Sequence, residues 1–134
     1  MSLPRRPGGT FARRPGQGPR VAFVGPCGAG KSTIVRRLRE LGLDARMPAQ
    51  EHSGVAEMWQ KLLNPDYLVA LDAPNALLRQ RRPGIDLNDG VLAEERRRLA
   101  HAFTHADLTL DTSRMEEHEV IEAVMRWLRE QGVL

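Results

Sequence analysis

The stretch GPCGAGKST (25–33), preceded by the short apolar run VAFV (21–24), decides how the rest of the chain is read. Its spacing fits G-x-x-x-x-G-K-[ST] at Gly25, Gly30, Lys31 and Ser32. Glycines permit backbone angles that aim successive N–H groups inward, which makes a concave anion site. A helix opening directly after such a loop adds its own free N–H groups and the positive end of its dipole. On this pattern the loop, Gly25, Pro26, Cys27, Gly28, Ala29, Gly30, Lys31, Ser32 and Thr33, cradles a nucleotide's phosphates. Lys31 reaches the β- and γ-phosphates, and the Ser32 hydroxyl is offered to Mg²⁺. A chance glycine-rich turn is the competing reading, but a buried strand before the loop and an amphipathic helix after it supply the context the motif requires. Cys27 reads as a small residue at a variable loop position, or else as a thiolate favoured by the surrounding N–H groups.

Working outward, apolar runs and helical stripes alternate, which points to an α/β sheet. VAFV is continuous, as a strand buried on both faces requires. Residues Lys31–Leu41 carry Ile34, Val35, Leu38 and Leu41 on one helical face and stop at Gly42. DARMPAQ (44–50) is a weaker strand that Pro48 confines to an edge or an end. Ser53 is expected to cap a helix running to Leu63, stopped by Asn64-Pro65. YLVAL (67–71) is a second buried strand ending at Asp72, and Pro74 opens a helix that runs into the arginines before Pro83-Gly84. GIDLNDG (84–90) reads as a loop, and a charged helix follows from Val91 to His105. DLTLD (107–111) is a short strand, and Ser113-Arg114-Met115-Glu116 is expected to form the capping box of a last helix faced by Val120, Ile121, Val124, Trp127 and Leu128.

The length of 134 residues fits one domain. A net charge of +3 would suggest an anionic partner, but residues 1–20 hold five arginines and no acid, and the rest, with 15 basic and 17 acidic groups, sums to −2. The basicity therefore belongs to residues 1–19, expected to be a disordered Pro/Gly/Arg-rich leader that offers the only route to nucleic acid. No secretory h-region follows those arginines and no 18-residue apolar run exists, so no membrane partner is expected. A single cysteine precludes an intramolecular disulfide and suits a reducing, cytoplasmic setting.

A magnesium nucleotide also calls for an acid at a neighbouring strand end. Asp72 closes YLVALD, and Glu51 follows the weaker strand; the apolar-run pattern favours Asp72. Two arginine clusters could neutralise a transferring phosphoryl group: Arg79, Arg81 and Arg82, and Arg96, Arg97 and Arg98. From them Arg79 and Arg82 are the candidates taken forward, while 96–98, beside Glu94 and Glu95, reads as a solvated helical face.

With these elements placed, the chain resembles the nucleoside and nucleoside-monophosphate kinase branch of P-loop proteins, and shikimate kinase more distantly. PDYLVALDAPNALLRQRR (65–82) is similar to that branch's strand, short helix and arginine-bearing lid, and HADLTLDTSRMEEHEV (105–120) to its last strand, base-contacting loop and closing helix. The resemblance implies that Thr112, Ser113 and Arg114 lie near the nucleotide base. It also shifts the metal or catalytic acid toward Glu51, because Glu51-His52-Ser53 is similar to the acid-Arg-Ser stretch of deoxynucleoside kinases, with His52 in place of Arg. It implies Mg²⁺ and a nucleoside triphosphate, ATP ahead of GTP, as cofactors.

The expected architecture is a three-layer P-loop sandwich over 20–134, with about four parallel strands in the order 2-1-3-4 and helices on both faces. Only about nine residues separate the first helix from Glu51, which leaves no room for separate acceptor-binding helices. The acceptor site is then very small, completed by a second subunit of a homodimer, or absent. Two functions follow: a small kinase moving the γ-phosphate of Mg-ATP to a small or nucleoside-like acceptor, or a nucleotide-held switch with slow hydrolysis. For the second, Glu51-His52-Ser53-Gly54 echoes the D-x-x-G loop of GTPases; against a dedicated GTPase, no N-K-x-D motif occurs.

Overall fold

A computed structural model describes residues 18–134; the expected leader, apart from Gly18 and Pro19, lies outside the described residues. The sheet has four strands, β1 (Arg20–Val24), β2 (Asp44–Arg46), β3 (Tyr67–Asp72) and β4 (Leu108–Asp111), in the order β2-β1-β3-β4 and all parallel. This is the arrangement expected from the sequence.

β1 and β3 occupy the centre because their residues are apolar on both pleat faces. Val21 and Phe23 of β1, with Tyr67, Val69 and Leu71 of β3, face one side. There they meet Ile34, Val35 and Leu38 of α1 (Lys31–Glu40) and Val120, Val124 and Leu128 of α5 (Glu117–Glu130). Ala22, Val24, Leu68 and Ala70 face the other side, against Trp59 of α2 (Met58–Leu63) and Leu99 and Ala102 of α4 (Asp89–His105). α3 (Asn75–Arg81) follows β3, and its Leu78 is fully buried. The edge strands β2 and β4 are short and partly polar, as edges tolerate. Among the described residues no helix is long and apolar enough to cross a membrane.

Three local expectations are corrected. Ser53 does not cap α2: its hydroxyl accepts from the Val55 N–H at 3.1 Å in a local turn, and the helix begins only at Met58. Ser113 does not open α5, because its N–H is taken by the Asp111 carboxylate at 2.9 Å. The capping box forms three residues later, between Glu116 and Glu119, and places acids in the first turn where the helix dipole favours them. α4 starts earlier than Val91, at Asp89, because the Asn88 side chain caps it by accepting from the Val91 N–H at 2.9 Å.

The segment 44–50 is a strand for three residues only. After Pro48 the chain turns into a short 3-10 turn, Gln50–His52, held by Gln50. That side chain is fully buried, donates to the Val55 carbonyl at 2.8 Å and accepts from the Trp59 N–H at 2.9 Å. With Gln50 anchored inward, the tight turn presents Glu51 and His52 to the carboxyl end of β1, where the glycine loop emerges.

Candidate active site

The loop between β1 and α1 curls around the Lys31 ammonium. Gly28 and Gly30 have φ of 89° and 96°, in the region glycine favours, and Gly30 is the N-cap of α1. Gly25 is required by close approach: a Cβ there would lie 2.2 Å from the Leu71 carbonyl oxygen of β3. Lys31 is 6% exposed, and its Nζ donates to the carbonyls of Gly25 and, at 3.2 Å, Pro26. Ser32, in the first turn of α1, is exposed.

Glu51 is drawn to this ammonium. Its Oε2 lies 2.9 Å from Lys31 Nζ, and the residue is 6% exposed. Its Oε1 is buried with no hydrogen-bond partner among the described residues. Buried carboxylate oxygens are ordinarily satisfied, and this one is not. Ser32 and Glu51 line one cavity and together offer a hydroxyl and a carboxylate, the hard oxygen donors that Mg²⁺ prefers. The residues present therefore fit the ion that the loop motif implies.

Asp72 stands elsewhere. At the end of β3 its carboxylate receives Arg96 at 3.0 and 3.2 Å and the Ala73 N–H at 2.8 Å. Arg96 also reaches the Ala73 carbonyl and Asn75, so this acid ties α4 to the start of α3. Its oxygens are committed to those donors, whereas Glu51 keeps one oxygen uncommitted.

The arginines divide by partner. Arg79 donates to the Leu87 carbonyl at 2.7 Å and pairs with Asp89, which fastens the 83–88 loop rather than facing the glycine loop. Arg82 lines the cavity, with its Cγ 3.4 Å from where a Cβ on Gly28 would stand. Arg81, the middle member of the first arginine cluster, lies across the glycine loop. It donates to the Gly28 carbonyl at 3.2 Å and to the Thr112 hydroxyl and carbonyl at 3.0 and 2.8 Å. Of the 96–98 cluster read as a solvated face, Arg97 and Arg98 pair with Glu94 and Arg97 is 75% exposed, but Arg96 departs from that reading because Asp72, Asn75 and the Ala73 carbonyl draw it in.

Glu95 was missed as a site residue. Rather than pairing with the neighbouring arginines it points inward, is 3% exposed, and accepts the Cys27 N–H at 2.9 Å. A signal was available: Leu92, Glu95, Leu99 and Ala102 fall on one face at helical spacing, so an acid interrupts an apolar stripe. This contact corrects the reading of Cys27 as an activated thiolate. Burial, the Glu95 charge with its hydrogen bond, and the Glu51 charge together push the Cys27 thiol above its ordinary range, outweighing Lys31. At pH 8 Cys27 is therefore expected to react with iodoacetamide more slowly than an unstructured cysteine peptide, and Glu95→Gln should accelerate it several-fold. Equal rates for protein and peptide would contradict that assignment.

A cavity of about 560 Å³ runs from Lys31, Ser32 and Thr33 past Glu51 and His52 to Arg82, Ile85, Leu87 and Val91. A shallower one of about 230 Å³ lies on the other flank of the loop, lined by Gly30, Thr33, Arg81, Thr112 and Met115. Thr112 is 3% exposed and its hydroxyl donates toward the Asp72 carbonyl at 3.2 Å. Ser113 and Arg114 do not line either cavity.

Fold and loop together define a small α/β protein with a P-loop kinase-like fold. Among solved structures the chain is similar to shikimate kinase from Acinetobacter baumannii in complex with shikimate, with a TM-score of 0.60 and 15% sequence identity. The alignment covers 87% of this chain and 96% of that one. At that identity the likeness establishes the shared fold. No protein-family model and no curated protein matches the chain.

Proposed function

We propose that the protein is a minimal phosphotransferase that moves the γ-phosphate of Mg-ATP, with GTP second in preference, to a small hydroxylated acceptor. The observation that carries this reading is the Lys31–Glu51 pair inside the glycine loop, with one buried Glu51 oxygen uncommitted. Lys31 would bind the β- and γ-phosphates, and the N–H groups of Gly28, Gly30, Lys31, Ser32 and Thr33 the phosphate oxygens. Ser32 and Glu51 would hold Mg²⁺, which, when bound, neutralises phosphate charge. Thr112 and Arg81, on the shallower flank, would border the nucleoside, with Ser113 and Arg114 on the same loop beyond it. Asp72 would act indirectly, by fixing Arg96 and the base of the lid.

The acceptor belongs on the Glu51 flank. The cavity lined by Glu51, about 560 Å³, lies within the range of about 300–1,000 Å³ typical of small-molecule sites. It combines acids, two arginines and an apolar wall of Met47, Ile85, Leu87 and Val91. That lining supports a compact polyol or nucleoside-like acceptor whose hydroxyl meets Glu51 and whose developing phosphate charge meets Arg82. A fold neighbour whose structure holds shikimate, a small hydroxylated ring, is consistent with an acceptor of that size.

ADP release measured against a panel of nucleosides, sugars and hydroxylated acids tests the reading. One acceptor should raise a slow basal rate by at least about 100-fold, and Arg82→Ala should lower that stimulated rate by about 10²–10³-fold. Turnover that no acceptor stimulates, together with a shape change between the di- and triphosphate states, would replace this reading with the nucleotide-held switch.

A further inference from the structure

The glycine loop and the 3-10 turn bring Cys27 and His52, which phosphate chemistry does not need, against Glu51. Cys27 Sγ lies 3.6 Å from His52 Nε2, and His52 Nε2 lies 3.9 Å from Glu51 Oε2. One ligand atom from each of Cys27, Glu51 and His52 falls within 4.8 Å of the other two. A sulfur at about 2.3 Å and an imidazole nitrogen at about 2.0–2.1 Å from one tetrahedral metal stand about 3.6 Å apart. The thiol–imidazole separation thus already matches a shared metal, and the imidazole–carboxylate separation needs only a small closure. The other Glu51 oxygen, Oε1, is buried with no partner among the described residues, so this carboxylate has a ligand atom to spare beyond the Oε2 that pairs with Lys31. Glu95, bonded to the Cys27 N–H, adds a second carboxylate to the same corner.

We propose that Cys27, His52 and Glu51 form a site for a thiophilic divalent metal, Zn²⁺ first, at the mouth of the phosphate loop. Sulfur and imidazole select Zn²⁺ over Mg²⁺, which takes oxygen donors. On binding, the Cys27 thiol proton passes to solvent, and the fourth position is left to water. The site draws Glu51 away from Lys31 and occupies the cavity wall on the acceptor flank, so zinc and magnesium nucleotide exclude one another. That exclusion rests on the phosphotransferase reading; the metal site itself does not.

The test is a titration of the full-length, nucleotide-free chain with Co²⁺, a coloured stand-in for zinc. Because Cys27 is the only cysteine, a thiolate-to-cobalt charge-transfer band can come from no other residue. The expected result is such a band, bleached by one equivalent of Zn²⁺ and abolished in Cys27→Ser. His52→Gln, at an exposed position that should leave folding intact, should weaken binding by at least about 100-fold, since loss of even an outer partner of a metal ligand costs about 10–100-fold. No charge-transfer band, or unchanged affinity in His52→Gln, would overturn the site. Saturating Mg-ATP should bleach the band; a full band with Mg-ATP shown by calorimetry to be bound would overturn the exclusion. A chain that gives the band yet binds no nucleotide would retire the phosphotransferase reading and leave the metal site standing.

Discussion

Replacing Lys31 with methionine should cost the protein both its chemistry and much of its stability, and the two losses should separate in a second variant. Lys31 and Glu51 are each 6% exposed and 2.9 Å apart. Removing the ammonium leaves a buried carboxylate without its counter-charge, a change worth about 3–5 kcal/mol. The Lys31→Met/Glu51→Gln double variant removes both members of the buried pair, leaving no half of it uncompensated, and should recover most of that stability. The coupling between the two positions, read from denaturant unfolding of the four proteins, should exceed about 2 kcal/mol. Acceptor-stimulated turnover should not recover: it should stay about 10³-fold or more below wild type in both variants, because the phosphate-binding cation is gone. Additive stability losses would mean that the pair is not coupled in the folded protein.

Gly25→Ala should be the most damaging single-methyl change in the loop. The added Cβ would meet the Leu71 carbonyl oxygen at 2.2 Å and its carbon at 3.2 Å. Leu71 is fully buried in β3, between β1 and β4, so its backbone has no direction in which to yield. Overpacking of side chains costs about 1–3 kcal/mol, and against a central strand the upper end is the expectation, about 3 kcal/mol. For a domain of this size that lowers Tm by on the order of 10 °C. Gly30→Ala is the internal comparison. Its Cβ would meet nothing within 4 Å, so only the φ of 96° opposes it, a penalty of about 1–2 kcal/mol. Thermal unfolding of both variants checks the order; a Gly30→Ala loss equal to or larger than the Gly25→Ala loss would contradict the close approach of loop and strand.

The parts of this protein that could be read from its sequence are those set by local pattern. VAFV and YLVALD are apolar on both pleat faces and therefore central, and the strand order follows once a glycine loop joins the first strand to a helix. The stripe of Val120, Ile121, Val124 and Leu128 is likewise the buried face of α5. Which of Glu51 and Asp72 lies against Lys31 was not legible from pattern, because it depends on distant partners. Asp72 is engaged by Arg96, 24 residues on, and Glu51 is delivered by a turn that Gln50 pins to Val55 and Trp59. Glu95 was hidden for a related reason: it sits in a run of charge that reads as solvated surface, and only the phase of its helix relative to Leu92 turns it inward. The cap of the last helix slipped because two side chains compete for one N–H: Asp111 takes the Ser113 N–H that the expected capping box assigned to Glu116.

The central claim is that the loop holds a magnesium nucleotide through Lys31, and calorimetric titration of Mg-ATP and Mg-GTP into the full chain and into Lys31→Met tests it most directly. The expected result is one site per chain, tighter for ATP, that needs Mg²⁺ and weakens by at least about 100-fold, or roughly 2.7 kcal/mol, in the variant. Absence of binding for both nucleotides, or an affinity that Lys31→Met leaves unchanged, would contradict it.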